Sequence, residues 1–184
     1  MHLTLPTWLT LARIAMVPVF VVAFFLPFES ANLICTALFA AAAVTDWLDG
    51  WLARRLGQPS DFGAFLDPVA DKLKVAAALV LLVEADPTPW IGVPAVVIIG
   101  REIAISALRE WMAQIGSRAT VAVSAVGKIK TALQMIALLL LLYHEPLWGL
   151  PTRTLGIAAL AIAAVLTLWS MFKYLSTAWA VLKK

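Results

Sequence analysis

Four aspartates that lie close together in the sequence are the residues best suited to chemistry. Asp46 and Asp49 are three residues apart, and Asp67 and Asp71 are four residues apart, so on helices the members of each pair share a face. Four ionised carboxylates packed together at low dielectric constant would repel one another and need cations beside them. Their oxygen atoms suit Mg²⁺ or Mn²⁺. We therefore expect two divalent ions that clamp a pyrophosphate group and neutralise its leaving charge.

The residues between the two aspartate pairs fit a bulky ligand. Gly50, Ala53 and Arg54 continue the helix face on which Asp46 lies. Gly50 and Gly63 have no side chain, so a ligand can come close to the backbone there. The alternative is a structural ion network in which the aspartates pair with nearby cations, namely Arg54, Arg55, Lys72 and Lys74.

A second group of polar residues lies further along the chain, in two other apolar stretches. Cations inside an apolar bundle are unfavourable unless they face a cavity or a partner. Arginine offers phosphate a two-pronged guanidinium and lysine a point charge, so this group predicts a pocket for a phosphorylated substrate. The alternative, strongest for Arg109 and Arg118, is contact with lipid headgroups. The group comprises Arg101, Glu102, Ser106 and Arg109 in the fourth stretch and Ser124, Lys128 and Lys130 in the fifth.

The composition indicates what surrounds these polar groups. The 184 residues are 62% hydrophobic and 14% charged, with a mean hydropathy of +0.93, whereas soluble domains carry about 25% charged residues. A soluble domain of this length could not bury so much apolar surface, so its solvent must be lipid. No linker-like segment interrupts the pattern, and we expect one domain over residues 1–184. Cys35 lies alone in an apolar run, which predicts a small buried side chain.

Six apolar stretches approach the length of about 20 residues that a bilayer-spanning helix needs. The connections between them are short, so consecutive helices should be antiparallel neighbours. We predict an all-α integral membrane protein, built as a six-transmembrane-helix bundle. The spans lie near Trp8–Phe28, Leu33–Leu52, Phe65–Glu84, Trp90–Met112, Val121–Tyr143 and Thr154–Leu182.

The distribution of charge orients the predicted bundle. Six spans place both termini on one side, where the connections hold four arginines and the tail adds Lys183 and Lys184. The opposite connections hold three acidic residues and one cation, Arg153. Because cytoplasmic loops collect Lys and Arg, the termini and both polar groups should face the cytoplasm. Tryptophans near the predicted span ends fit the interfaces; they are Trp8, Trp51, Trp90, Trp111, Trp148 and Trp179.

The spacing of these residues resembles a known family. The chain contains a segment that is similar to the signature of the CDP-alcohol phosphatidyltransferases. This segment is Asp46-x2-Asp49-Gly50-x2-Ala53-Arg54-x8-Gly63-x3-Asp67-x3-Asp71. Eight such positions would match by chance with a probability on the order of 10⁻¹⁰ per starting point. Other runs resemble the bacterial branch of the family that uses glycerol 3-phosphate. They are Pro6-Thr7 with Thr10 and Arg13, residues 101–110 and residues 123–131.

The resemblance implies a reaction and its participants. The phosphatidyl group of CDP-diacylglycerol would pass to sn-glycerol 3-phosphate, releasing CMP and forming phosphatidylglycerophosphate, the committed step toward phosphatidylglycerol and cardiolipin. The enzyme would be a multi-pass protein of the bacterial cytoplasmic (inner) membrane, with its active site facing the cytoplasm. The resemblance is compatible with a homodimer, and no nucleic-acid partner is expected. The alternatives are another acceptor (serine, inositol phosphate or phosphatidylglycerol) or, in a different class, a divalent-cation transporter.

The resemblance also assigns roles to matching positions. Asp71 would be the base that takes the proton of the acceptor hydroxyl. The two Mg²⁺ or Mn²⁺ ions would be held by Asp46, Asp49, Asp67 and Asp71. The CDP-lipid would contact Thr10, Gly50, Ala53, Arg54 and Gly63, and the glycerol phosphate would contact Arg101, Arg109, Ser124, Lys128 and Lys130.

Overall fold

The described part of the chain is helical. A computed structural model describes residues 5–27, 29–56, 61–115 and 125–182. Within these ranges the backbone forms six α-helices, and its one β-type pairing is an isolated bridge between Leu147 and Leu150. The helices are α1 (Leu5–Phe25), α2 (Ala31–Leu56), α3 (Asp61–Ala85), α4 (Pro89–Gln114), α5 (Ala125–Tyr143) and α6 (Thr152–Leu182).

Each helix coincides with one predicted span, which confirms the all-α fold class, but the ends differ. Helix α2 continues four residues beyond the predicted end, to Leu56, and α3 begins four residues early, at Asp61. Hydropathy marks only the apolar part of a helix, whereas backbone hydrogen bonding continues through the polar residues beyond it. Helix α1 ends earlier than predicted, at Phe25, because Pro27 disfavours helical geometry in the residue before it.

The helices differ in how readily they could cross a bilayer. Among the described residues three stretches are long and apolar enough, Thr7–Phe25, Pro89–Gln114 and Thr152–Ser176. Shorter apolar stretches are Ala31–Asp46 and Ile129–Tyr143. Helix α3 carries its charged residues mainly in its first half. The chain is therefore a multi-pass membrane protein, and the count of six spans stays a prediction.

The described chain divides into two compact units, and the prediction of a single domain stays a prediction. The first unit holds α1, α2, α3 up to Glu84, and residues 142–145. Helix α1 packs along α2, with the rings of Phe20 and Phe39 6.3 Å apart. Cys35 is buried and free, as its apolar surroundings predicted.

The second unit holds residues 85–141 and residues from 146 onward, so it comprises α4, most of α5, and α6. Helix α4 packs along α6. Helix α6 approaches α5 closely at Gly156, where a Cβ atom would lie 2.7 Å from Cγ of Leu141. A small residue at such a position lets two membrane helices come together. Arg153, in the first turn of α6, forms an ion pair of 2.6 Å with Asp86, which lies in the connection between α3 and α4.

The outer surfaces of the helices fit a lipid environment. Large apolar side chains lie exposed along them, among them Val22, Val96 and Val165. Contiguous apolar surface of this kind is unusual on a soluble monomer. Five of the six tryptophans predicted at span ends are exposed at helix ends or in a connection, namely Trp8, Trp90, Trp111, Trp148 and Trp179. The side chain of Trp51 lies outside the described residues.

Candidate active site

Three helices of the first unit bring polar residues to one depth. Arg13 follows the start of α1 by eight residues, Asp46 precedes the end of α2 by ten, and Asp67 follows the start of α3 by six. At 1.5 Å per residue these positions lie about 9–15 Å from helix ends. Because Arg13 contacts both aspartates, the first part of α1, the last part of α2 and the first part of α3 lie close together.

The guanidinium of Arg13 is the centre at which they meet. Its Nη1 donates a hydrogen bond of 2.6 Å to Oδ1 of Asp46, and its Nη2 donates one of 3.4 Å to Oδ1 of Asp67. Oδ1 of Asp71 lies 3.6 Å from Nη1. The Arg13 side chain is only 2% exposed, whereas the three carboxylates are 40–50% exposed. One buried cation thus links three aspartates on α2 and α3, and we call these four residues the acidic cluster.

Two further side chains contact the aspartates of the acidic cluster. The hydroxyl of Thr10, one turn before Arg13 on α1, donates a hydrogen bond of 2.7 Å to Oδ1 of Asp67. Nζ of Lys74 lies 2.9 Å from Oδ1 of Asp71. The Lys74 contact is part of the ion network considered as the alternative for the aspartates. Thr10, predicted as a contact of the CDP-lipid, here orients a carboxylate of the cluster.

The charge of the acidic cluster bears on the expected metal ions. Three carboxylates face one guanidinium and the Lys74 ammonium, so one negative charge is left over before Asp49 is counted. Within the described ranges no group of three acidic side chains is placed to hold a metal ion directly, and Arg13 lies where the carboxylates meet. The three aspartates nevertheless offer carboxylate oxygens, which are the ligands that a divalent cation prefers. Their side chains are about half exposed and lie close together. The residues fit such an ion.

Several predicted site residues in the first unit are described only in their backbone. Asp49, Gly50, Ala53 and Arg54 lie on α2 as predicted, one to two turns after Asp46. Their side chains lie outside the described residues, so their predicted contacts stay predictions. Gly63 lies in the first turn of α3 and is buried.

The second unit contains another cluster of charged side chains, in which cations outnumber carboxylates. Nη1 of Arg101 donates a hydrogen bond of 2.6 Å to Oε1 of Glu102, and Nζ of Lys130 lies 3.3 Å from the same oxygen. Arg101 and Lys130 are almost fully buried, with side chains 11% and 7% exposed. A buried cation needs such a partner. The hydroxyl of Ser106 donates a hydrogen bond to the backbone carbonyl of Glu102, and this bond involves neither Arg101 nor Lys130.

Helix α6 contributes to this second cluster. Nη2 of Arg101 donates a hydrogen bond of 3.1 Å to Oγ of Ser170, and Nη2 of Arg109 donates one of 2.7 Å to Oη of Tyr174. We call Arg101, Glu102, Arg109 and Lys130, together with Ser170 and Tyr174, the basic cluster. It carries three cations and one carboxylate, an excess of two positive charges. Of the other predicted acceptor contacts, Ser124 and the side chain of Lys128 lie outside the described residues.

Comparison with known proteins identifies the family. The family model described as CDP-alcohol phosphatidyltransferase matches residues 3–169, which is most of the chain. The chain belongs to the CDP-alcohol phosphatidyltransferase family. The matched range includes all four signature aspartates and Arg13, so the acidic cluster lies within it.

Relatives of known name are similar over nearly the whole length. A protein of Sodalis glossinidius (strain morsitans) is 58% identical over 97% of this chain and 96% of its own length. One of Pectobacterium atrosepticum is also 58% identical, with the same coverage, and one of Yersinia pestis (strain Pestoides F) is 55% identical over 98% of this chain and 97% of its own. Each is named CDP-diacylglycerol–glycerol-3-phosphate 3-phosphatidyltransferase.

Three residues of these clusters are not among the predicted site residues. Arg13 lies in a run that resembles the family, and a cation within the first apolar stretch is itself a signal of a buried partner. Ser170 and Tyr174 were not singled out. Their spacing of four residues places them on one face of α6, which is the signal that the sequence offers for them.

Arg13 provides a test of how the acidic cluster is held together. Arg13→Ala removes the cation shared by three carboxylates, and we expect a loss of about 1–3 kcal/mol in stability, in line with a lost charge-assisted hydrogen bond. CMP release from CDP-diacylglycerol should fall at least roughly 10-fold, because the carboxylates lose their common orientation. Thermal unfolding in detergent and the initial rate measure the two effects.

Arg153→Ala is the matched control for Arg13→Ala. It also removes one arginine from an ion pair, but its side chain is 45% exposed and its partner is Asp86. Because Asp86 is only 17% exposed, this variant should lose roughly 1 kcal/mol in stability, but it should retain the wild-type rate. If the two variants lost rate and stability equally, Arg13 would have no special place in the site.

Proposed function

We propose that this protein transfers the phosphatidyl group of CDP-diacylglycerol to sn-glycerol 3-phosphate, giving phosphatidylglycerophosphate and CMP. The observation that carries the proposal is the convergence of Asp46, Asp67 and Asp71 on one point. These are three of the four aspartates in the signature, and they lie in the part of the chain matched by the family. The names of relatives 55–58% identical over nearly the full length support this donor and this acceptor.

The acidic cluster would hold the divalent ions that the reaction needs. The ligands would be Asp46, Asp67 and Asp71, with Asp49 as the fourth. Bound Mg²⁺ or Mn²⁺ would neutralise the pyrophosphate of the CDP-lipid and make CMP a good leaving group. Gly50, Ala53, Arg54 and Gly63 would contact the CDP moiety, and Thr10 would act through the carboxylate of Asp67 to which it donates a hydrogen bond.

The reaction itself is a direct displacement at phosphorus. The acceptor hydroxyl oxygen attacks the phosphorus that carries diacylglycerol, a new P–O bond forms, and the P–O bond to CMP breaks. The hydroxyl proton passes to Asp71, whose Oδ1 is buried but whose side chain as a whole is 43% exposed, so its other carboxylate oxygen is open to a substrate. A carboxylate is a modest base at neutral pH, so this step depends on the acceptor being held close and in line.

The basic cluster supports an acceptor that carries a phosphate. Its excess of two positive charges matches a phosphate dianion, and Arg101, Arg109 and Lys130 supply charged donors. Ser124 and Lys128 are proposed as further contacts of the glycerol phosphate. Serine carries no net charge and would leave these cations unmatched, whereas inositol phosphate would satisfy them equally well. The choice between the two phosphorylated acceptors rests on the names of the relatives.

An acceptor panel tests the proposed reaction. Purified protein in detergent receives CDP-diacylglycerol, Mg²⁺ and one acceptor at a time, and CMP release is measured. We expect release with glycerol 3-phosphate, little release with glycerol or serine, and none in EDTA until Mg²⁺ or Mn²⁺ is restored. Faster release with inositol phosphate would replace the proposed acceptor, and full activity in EDTA would exclude a metal-dependent mechanism.

We also propose an orientation in which both termini and both clusters face the cytoplasm, in the inner membrane of a bacterium. The excess of Lys and Arg in the predicted cytoplasmic connections supports it. The contact between Arg153 and Asp86 adds to this argument, because it neutralises the only cation predicted in the connections of the opposite side.

Single cysteines report this orientation. In a Cys35→Ala background, Thr88→Cys should react with a membrane-impermeant maleimide added to intact spheroplasts. Gln58→Cys should react only after the membrane is permeabilised. Labelling of both positions from the outside would rule out the proposed arrangement of spans.

A further inference from the structure

Helix α6 offers two polar side chains to the arginines of α4. Ser170 accepts a hydrogen bond of 3.1 Å from Nη2 of Arg101. Tyr174 accepts one of 2.7 Å from Nη2 of Arg109, and the guanidinium carbon of Arg109 also lies 5.1 Å from the centre of the Tyr174 ring. Each arginine that was predicted to bind the acceptor phosphate is thus held by one residue of α6.

The hydroxyl of Ser170 is oriented so that its oxygen accepts a hydrogen bond from Arg101. Its hydroxyl donates a hydrogen bond of 2.9 Å to the carbonyl of Thr167, which leaves the oxygen lone pairs for the guanidinium. Glu102 holds the other terminal nitrogen of Arg101 at 2.6 Å. A guanidinium held at both terminal nitrogens has a defined plane, and Arg binds phosphate through such planar geometry.

Arg101 retains a donor that is suited to an anion. Its Nε is buried, and no described residue accepts a hydrogen bond from it. A buried donor without a partner is unfavourable, and in a cluster with two excess positive charges an anion would satisfy it. This atom is therefore available as a donor to an anionic ligand.

Arg109 is held differently, because it is exposed. An exposed arginine samples many rotamers and loses their entropy when it binds a ligand. The ring and the hydroxyl of Tyr174 restrict those rotamers before binding, through a cation–π contact and a hydrogen bond. Restriction in advance raises affinity for the ligand.

Ser170 and Tyr174 follow the range that the family model matches, residues 3–169, whereas Arg101 and Arg109 lie within it. We propose that Ser170 and Tyr174 are positioning residues that hold Arg101 and Arg109 for the phosphate of the acceptor, and so set the enzyme's preference for a phosphorylated alcohol. This inference rests on the proposed function.

Two conservative variants test the inference. Ser170→Ala removes the acceptor for Arg101, and Tyr174→Phe removes the hydroxyl but keeps the ring. Each should raise the KM for glycerol 3-phosphate roughly 3- to 10-fold, less than the roughly 10- to 150-fold expected for loss of a direct charged contact with phosphate. The KM for CDP-diacylglycerol and kcat should stay within about 2-fold, because α6 acts on the acceptor's cations. Ser170→Thr, which keeps the hydroxyl, should restore the wild-type KM.

Matched controls are available in the same chain. Ser176 also lies on α6, but its hydroxyl donates to the carbonyl of Lys173, so Ser176→Ala should leave both KM values unchanged. Tyr143→Phe is the corresponding control for Tyr174→Phe. Binding of glycerol 3-phosphate without CDP-diacylglycerol, measured by calorimetry in detergent, should weaken in Ser170→Ala and Tyr174→Phe and provides a readout independent of turnover.

The outcomes separate this inference from the proposed function. Unchanged acceptor KM and binding in both variants, or a lowered unfolding temperature with unchanged KM, would reduce Ser170 and Tyr174 to structural bridges between α4 and α6. If the wild type used inositol phosphate instead, a raised KM for that acceptor in both variants would uphold the inference while the proposed acceptor failed. If the wild type used only serine, the inference would fall.

Discussion

A charge inside an apolar helix must have a partner, and the acidic cluster depends on this constraint. Arg13 lies in a stretch of α1 that is apolar enough to cross a bilayer, where an unpaired guanidinium would be strongly unfavourable. Its terminal nitrogens are paired where Asp46 of α2 and Asp67 and Asp71 of α3 meet. The same contacts hold three carboxylates of like charge close together, which they could not sustain alone. One ion-pair network therefore fixes both the helices and the site.

The second unit follows the same rule with the signs reversed. Glu102 lies between Arg101 and Lys130, and two hydroxyl groups of α6 each accept a hydrogen bond from Nη2 of Arg101 or of Arg109. Neither cluster is neutral: the first has an excess of negative charge and the second an excess of positive charge. Each excess corresponds to a ligand of the proposed reaction, divalent cations in the first and a phosphate in the second. The residual charge distinguishes these clusters from purely structural ion pairs such as that of Arg153 with Asp86.

Much of this could be predicted from the sequence because the signals are local. A run of about 20 apolar residues predicts a membrane helix wherever it lies, and the signature aspartates fall at fixed spacings on α2 and α3. The role of Arg13 could not be predicted in this way, because its partners lie 33 and 54 residues further along the chain. Tyr174 is likewise 65 residues from Arg109. Helix ends were misplaced where polar residues continue the helix, since hydropathy reports the surrounding solvent and not the backbone hydrogen bonds.

Direct binding of Mn²⁺ tests most directly whether the acidic cluster is a metal site. Electron paramagnetic resonance of purified protein with CDP-diacylglycerol and no acceptor measures bound Mn²⁺ without turnover. We expect binding in the wild type, competition by Mg²⁺, and an affinity at least roughly 10-fold lower in Asp67→Asn, because loss of even an outer partner of a metal site costs about 10- to 100-fold. Asp86→Asn, which removes an aspartate paired with Arg153, should bind like the wild type. Equal Mn²⁺ affinity in Asp67→Asn and the wild type would contradict the account.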